Sequence, residues 1–351
     1  MALAKDWNYA DVLAPFSIVS TSDHDLHRGR RNALNSFFSV ASVRRLVATM
    51  KEYRAKMISR MEQAGETGEI MQMHHVFKAC ASDVITEYAF TECFGFMNTA
   101  DFGRAFFEST DAFFCSRTSS ASCLGWFTTP ERVESTIFEG IFNSSLPPEG
   151  KADQRLASEA QLVVFAGEST TAYTLTCCLY QLLANKDEVR NLRSELAAAV
   201  PDPSNIELSQ VDSLPCLNAI TQEAVRLHPG VMAGQVRISP KVPIVYDDKR
   251  MGKSYVAPPN TVASMSPLDT HMHLDAFGPD AYEYRPQRWI DIPKLARCFM
   301  GFSRGARNWV GQGPTLELYD TIRARDIGAN ADYIIPVPAK GCVGLRVKIR
   351  S

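Results

Sequence analysis

The sequence lacks an excess of either charge: 37 Lys and Arg against 39 Asp and Glu leave a formal charge of −2 over 351 residues, which gives no electrostatic case for nucleic acid or an anionic surface as the main partner. It also lacks any C-x-x-C pair. The cysteines, Cys80, Cys93, Cys115, Cys123, Cys177, Cys178, Cys216, Cys298 and Cys342, are scattered and odd in number, so neither a zinc ribbon nor a disulfide framework is supported. Reduced thiols in a cytosol-facing protein are the expectation. The opening MALAKDWNYADVLAPF has no apolar run of signal-peptide length, and no segment reaches the ~18 uncharged apolar residues of a membrane span. Apolar residues are not scarce: 45% hydrophobic and 22% charged residues exclude wholesale disorder, collagen-like repeats and a bare coiled coil.

The apolar spacing of Leu46, Met50, Tyr53, Met57 and Met61 predicts a helix ending at Gly65, and residues 74–95 read as a second, more buried one. From Phe106 to Pro148 the periodicity degenerates, with Ser and Thr between Ser116 and Ser122, Pro130, and the break Pro147-Pro148-Glu149-Gly150. No element is predicted there, and Phe113, Phe114, Trp126 and Phe127 are expected in an exposed, poorly protected region. Residues 153–199 are helical throughout. Asn185 and Glu188 divide them as a capping box, and the first helix is apolar on most faces, the mark of a helix at the centre of a large protein. Pro215 opens a further helix that stops at Pro229. Short extended pieces follow (VPIVYDD, KSYVAPP, TVASMSP), then YIIPVP and GLRVKI. The fold class is mainly α with a small β part toward the C-terminus, in one domain over 1–351.

Three constellations carry chemistry. Glu223 and Arg226 share a helix face and can pair. Gly167-Glu168-Ser169-Thr170-Thr171 puts a carboxylate and hydroxyls in the middle of the apolar helix, where they bond either back to the preceding turn or to a ligand. The run from Phe302 to Gly311 holds glycines and arginines in a tight basic turn with a weak anion-binding character.

In this order the pieces resemble the haem-thiolate monooxygenases, the cytochrome P450 family, and most closely its fungal members of secondary metabolism. His27-Arg28-Gly29-Arg30-Arg31 is similar to the W/H-x-x-x-R element, Ala166-Gly167-Glu168-Ser169-Thr170-Thr171 to A-G-x-[DE]-T-T, Glu223-Ala224-Val225-Arg226 to E-x-x-R, and Pro286-Gln287-Arg288-Trp289 to P-E-R-[FW]. The resemblance implies a P450 fold built around the long central helix and a haem cofactor. His27, Arg31, Ala166, Gly167, Arg237, Phe302, Arg307 and Gly311 would contact the haem, and Thr170, Ser169 and Glu168 would deliver protons. Glu223, Arg226 and Arg288 would form a structural charge network. Any residual small-molecule binding is expected at Ala166, Gly167 and Thr170, where small residues would let a flat ligand approach the backbone; the favoured alternative is a collapsed core in which Phe165 and Leu162 fill that space.

Several positions depart from the family. In F-x-x-G-x-R-x-C-x-G, Phe302, Gly305, Arg307 and Gly311 match, but Trp309 stands at the axial cysteine, and an indole N–H donates only and cannot ligate iron. Ser169 occupies the acid position, with Glu168 one residue early and so rotated about 100° around the helix. The N-terminal anchor, part of the pocket roof near 142–152 and most of the helix after the loop, near 317–319, are expected to be missing. The implied function is oxidation of a small apolar secondary metabolite with O2 and electrons from an NADPH-dependent flavoprotein reductase, impaired or lost through Trp309. The alternatives are a non-oxidative scaffold or binding protein, or an active monooxygenase whose gene is misread here. Family members are anchored to the endoplasmic reticulum membrane, whereas the chain as written is expected in the cytoplasm.

Overall fold

A computed structural model describes residues 14–35, 37, 38, 42, 46–116, 136–202, 206–303, 329–332, 336–338 and 345–348. Its frame is helical: α1 His24–Asn35, α2 Val47–Thr67, α3 Met73–Phe90, α4 Arg104–Ser116, α5 Ile137–Phe142, α6 Asp153–Ala184, α7 Lys186–Ala199, α8 Leu208–Val211 and α9 Pro215–Leu227. Three short helices follow: α10 Pro267–His271, α11 Leu274–Phe277 and α12 Gln287–Asp291. The strands form antiparallel pairs: β1 (Ile70–Gln72) with β6 (Arg346–Lys348), β2 (Ile244–Asp248) with β3 (Lys253–Ala257), and β4 (Ala329–Asp332) with β5 (Pro336–Pro338). The mainly α class with a minor β part is therefore what the chain adopts.

The central helix α6 runs for 32 residues, about 48 Å at 1.5 Å per residue, and contributes to three apolar clusters along its length. Near its start Leu156, Ala160 and Val163 pack with Ile137, Phe138 and Ile141 of α5 and Leu34 of α1. In its second half Ala172, Cys177 and Leu179 meet Tyr53 of α2, Val76 and Phe77 of α3 and Phe107 of α4. At its end Cys178 and Leu182 pack on Leu192 of α7 and Ile220 and Ala224 of α9. By length and composition α6 is the one helix among the described residues that could cross a membrane, yet most of its apolar window is buried inside the protein, as a core helix requires.

Several local expectations change. The helix expected to end at Gly65, α2, continues to Thr67. Asn185 does not cap α7: its side-chain amide donates to the Gln181 carbonyl (2.6 Å), because the chain passes from α6 into α7 with no free turn between them. The segment 106–148, where no element was expected, supplies α4 and α5, whose Phe107, Ile137, Phe138 and Ile141 are fully buried. Their helices are held by tertiary apolar contacts rather than by their own periodicity. The side chains of Phe113, Phe114, Trp126 and Phe127 lie outside the described residues.

Gly167 turns out to serve the packing of helices. A Cβ built there would sit 2.9 Å from Cγ1 of Ile85 on α3, so its face of α6 is filled by a neighbouring helix and offers no approach to a flat ligand. Gly167→Leu should therefore wedge α3 from α6 and lower stability by about 1–3 kcal/mol or more. A thermal melt checks this, and truncating the opposing side chain in Gly167→Ala/Ile85→Ala should recover part of the loss relative to Gly167→Ala alone.

Candidate functional site

The charge network is the best-defined polar feature of the molecule. Glu223, completely buried on α9, receives five N–H groups. Its Oε2 accepts from Arg226 Nε (2.8 Å) and Trp289 Nε1 (2.9 Å), and its Oε1 from Arg226 Nη2 (2.8 Å), the Arg285 backbone (2.9 Å) and Arg288 Nε (3.0 Å). Both guanidiniums spend most of their remaining donors on backbone carbonyls, and Arg288 also reaches a second carboxylate. Arg226 reaches His271 O (2.9 Å), Ala281 O (2.5 Å) and Glu283 O (3.1 Å). Arg288 reaches Phe277 O (3.0 Å), Asp280 O (2.9 Å) and Asp280 Oδ1 (3.2 Å). With Asp280 included the cluster is neutral, and the planar five-donor fork of arginine fits these directions as a lysine would not. The helix α9 is thereby fastened to the whole stretch 271–289.

His271 was not singled out by the sequence. It is fully buried at the end of α10, with its Nδ1 2.9 Å from the Arg226 carbonyl and its Nε2 accepting the Met300 N–H at 2.8 Å. Burial, joined by the Arg226 charge and opposed by the bond to the Arg226 carbonyl, pulls it down to about 4. Only its place within T-H-M-H near the E-x-x-R partners could have drawn attention to it.

Next along the chain, Gly301 lies against α9, where an added Cβ would be 2.4 Å from Val225 Cγ1. Phe302 packs edge-to-face on Phe299 at 5.7 Å, and Ser303 Oγ donates to Gln235 Oε1 (2.7 Å). Gln235 is two residues from Arg237, whose strand-like segment bridges Ala263. The structure thus brings Phe302 and Arg237 into one neighbourhood, while Arg307, Trp309 and Gly311 lie outside the described residues. The Arg237 guanidinium donates to Val236 O (2.8 Å); burial lowers its pKa from the ordinary value, and it has no carboxylate partner among the described residues. A desolvated cation of this kind suits an anionic group such as a propionate. On α1, His27 is buried, and Arg31 Nε donates to Asn35 Oδ1 (3.1 Å).

On the central helix, Thr170 Oγ1 donates to its own Ala166 carbonyl (2.9 Å), and its Cβ lies 3.0 Å from where a side chain on Gly230 would begin. Ser169 Oγ donates to Glu168 Oε2 (2.8 Å). Glu168 is turned toward α3 and forms an ion pair with Lys78 at 3.4 Å, and Lys78 also pairs with Asp111 of α4 at 2.6 Å. Burial works to lower the Lys78 ammonium, but Glu168 and Asp111 together hold it above its ordinary value. The carboxylate expected to deliver protons beside Thr170 is therefore occupied in tying three helices together. The one-residue displacement seen in the sequence has this consequence in space.

These residues fit a haem only in part. The cations that would take its propionates, Arg31 and Arg237, are free of carboxylates among the described residues, but the side chain at the axial position, the indole of Trp309, offers no lone pair for iron. Cys298, the thiol nearest to Trp309 along the sequence, packs against the apolar cluster of Phe277 and Trp289.

Two outcomes follow. Glu223→Ala, which strands two buried guanidiniums, should cost about 3–5 kcal/mol and move protein into the insoluble fraction; an unchanged melting temperature would refute a buried network. For His271 the folded pKa lies below that of the unfolded chain, so the unfolded state binds more protons between about pH 6.5 and 4. Its contribution to stability is complete above that window and is lost as pH falls through it. The pH dependence of denaturant midpoints should flatten across this window in His271→Phe compared with the unmodified protein.

Comparison with known proteins agrees with the geometry. Residues 144–313 match the cytochrome P450 family. The chain is 32% identical to the cytochrome P450 monooxygenase astB of Talaromyces wortmannii, over 95% of this chain and 76% of that protein. It is 27% identical to the cytochrome P450 monooxygenase tpcC of Cochliobolus heterostrophus, over 98% of this chain and 78% of that one. The fusicoccadiene C-8 hydroxylase of Phomopsis amygdali is 27% identical over 94% of this chain and 75% of its own length. With the Glu223–Arg226–Arg288 network assembled, a long central helix carrying Ala166 to Thr171, and similarity to fungal monooxygenases along nearly its whole length, this chain belongs to the cytochrome P450 family.

Proposed function

We propose that this chain keeps the P450 scaffold of a fungal secondary-metabolism monooxygenase but does not hold haem iron through a thiolate, so that oxidation of its small apolar metabolite is impaired or lost. The observation that carries this is the donor chemistry at the axial position: Trp309 stands where the family's cysteine would be, and the other described thiols lie outside that loop. The position of Glu168 supports the same reading from the opposite side of the site, since its carboxylate faces Lys78 on α3 and accepts from Ser169, while the Thr170 hydroxyl donates to the Ala166 carbonyl. In the family haem supplies oxygen activation. In this chain Arg31 and Arg237 would take its propionates, Ala166 and Thr170 would face it from one side of the central helix, and Phe302 would begin the loop beneath it. Were the site active, the substrate would be a small apolar metabolite, the electrons would come from an NADPH-dependent flavoprotein reductase, and the protein would work at the endoplasmic reticulum membrane as its family typically does.

The test is the reduced, carbon-monoxide difference spectrum of protein purified with added haemin. The unmodified chain should show no Soret band of thiolate type, and its appearance would overturn the proposal. Trp309→Cys alone should also lack the band, because the pattern after Gly311 is a residue short and runs at once into Tyr319-Asp320-Thr321. A scaffold that is merely silent, with no haem affinity at all, would give no saturable change in haemin absorbance in either protein.

A further inference from the structure

The segment 299–303 leads into the loop that carries Trp309, and it is fixed at three points in a row. Met300 donates its N–H to His271 Nε2, Gly301 is pressed onto Val225 of α9, and Ser303, whose backbone is left-handed at φ 56°, donates its hydroxyl to Gln235. Of the three, only the His271 contact joins this segment directly to the charge network. The ring sits between two main-chain groups, the Arg226 carbonyl at 2.9 Å and the Met300 N–H at 2.8 Å, and is stacked on Phe299 with centroids 5.3 Å apart and planes 10° from parallel. Phe277 closes its edge at 6.2 Å.

The donors decide the proton. A backbone N–H can only donate, so Nε2 must carry a lone pair; a carbonyl can only accept, so Nδ1 must carry the hydrogen. We infer that His271 is a positioning residue that sets the register of the loop's first residues against the carboxyl end of α9, acting as a neutral ring in the Nδ1–H form. No other neutral side chain of this size accepts at one end and donates at the other across this span. Arg226 is thus used twice: its guanidinium closes the network on Glu223, and its carbonyl, through His271, dictates where Met300 lies. The charged groups facing the ring are Arg226 and Glu223, whose charges offset each other, so nothing local compels the ring to take up a second proton.

This inference rests on the reading that 302–311 is the loop of the axial position, but its test does not use haem. Asn and Gln divide the two bonds, because the Asn amide falls near the place of Nδ1 and the longer Gln amide near that of Nε2. His271→Asn keeps a donor for Arg226 O and loses the acceptor for Met300; His271→Gln does the reverse. Both lose the stacking on Phe299, so their general destabilisation is matched. Amide exchange at Met300 should rise roughly tenfold or more in His271→Asn and stay within about threefold of the unmodified protein in His271→Gln, the difference being one hydrogen bond of about 1.4 kcal/mol. Equal exchange at Met300 in the two variants would overturn the inference and leave His271 as ordinary packing.

The unmodified protein supplies a second measurement that does not depend on how the variants fold. Long-range 1H–15N correlation of the imidazoles should show one histidine locked in the Nδ1–H form from pH 8 down to about pH 5, consistent with its pKa of about 4. If every histidine gives an Nε2–H pattern or a charged ring over that range, the inference fails. A thiolate-type spectrum from the unmodified chain would defeat the functional proposal and leave this inference standing.

Discussion

A carboxylate in a dry interior is tolerable only if its oxygens are filled by donors, and Glu223 meets that condition with five N–H groups from four residues. Because those donors come from α9 itself and from the stretch 285–289 leading into α12, the carboxylate cannot be satisfied unless that stretch is in place against α9. The segment 271–289 has only short helices, and its path over α9 is held by the carbonyls that Arg226 and Arg288 bind. The apolar cluster of Ala219, Phe277, Ala281, Trp289 and Leu295 closes over this polar centre.

From there the constraint passes outward. The Arg226 carbonyl orients His271, His271 takes the Met300 N–H, and the residues that follow press against Val225 and reach Gln235. A family fold that must present a loop to a cofactor gains from such a chain of fixed contacts, since displacement at any step would be repeated at the loop. In this protein the lead-in is assembled, and the residue at the axial position is Trp309. On the function proposed above, scaffold and chemistry have separated, as they can when stability depends on one set of residues and reaction on another.

At the centre of α6 a polar side chain also serves the packing of helices. Glu168 faces α3, and there it finds Lys78, itself shared with Asp111 of α4. The burial that makes an isolated carboxylate costly makes this pairing hard to leave. Gly167 is likewise required by the approach of Ile85, so residues that look like a ligand site in sequence are used to bring helices together.

Much was legible in the sequence: periodicity and breakers gave the long central helix, Pro215 gave the start of α9, and the β2–β3 hairpin was visible in its extended runs. The spacing of Glu223 and Arg226 put them on one face, and side-chain chemistry alone decided that Trp309 is no iron ligand. Helices α4 and α5 were not legible, because their stability comes from Phe107, Ile137 and Phe138 entering cores built by distant residues. The pairing of β1 with β6 joins strands more than 270 residues apart, at a register such as Ile70 with Lys348, and no local pattern announces it. His271 and Lys78 looked unremarkable for the same reason: a titratable side chain acquires its state from what surrounds it. Local sequence determines which backbone shapes are available and which atoms can donate or accept, whereas only the assembled tertiary structure decides which donor meets which acceptor away from water.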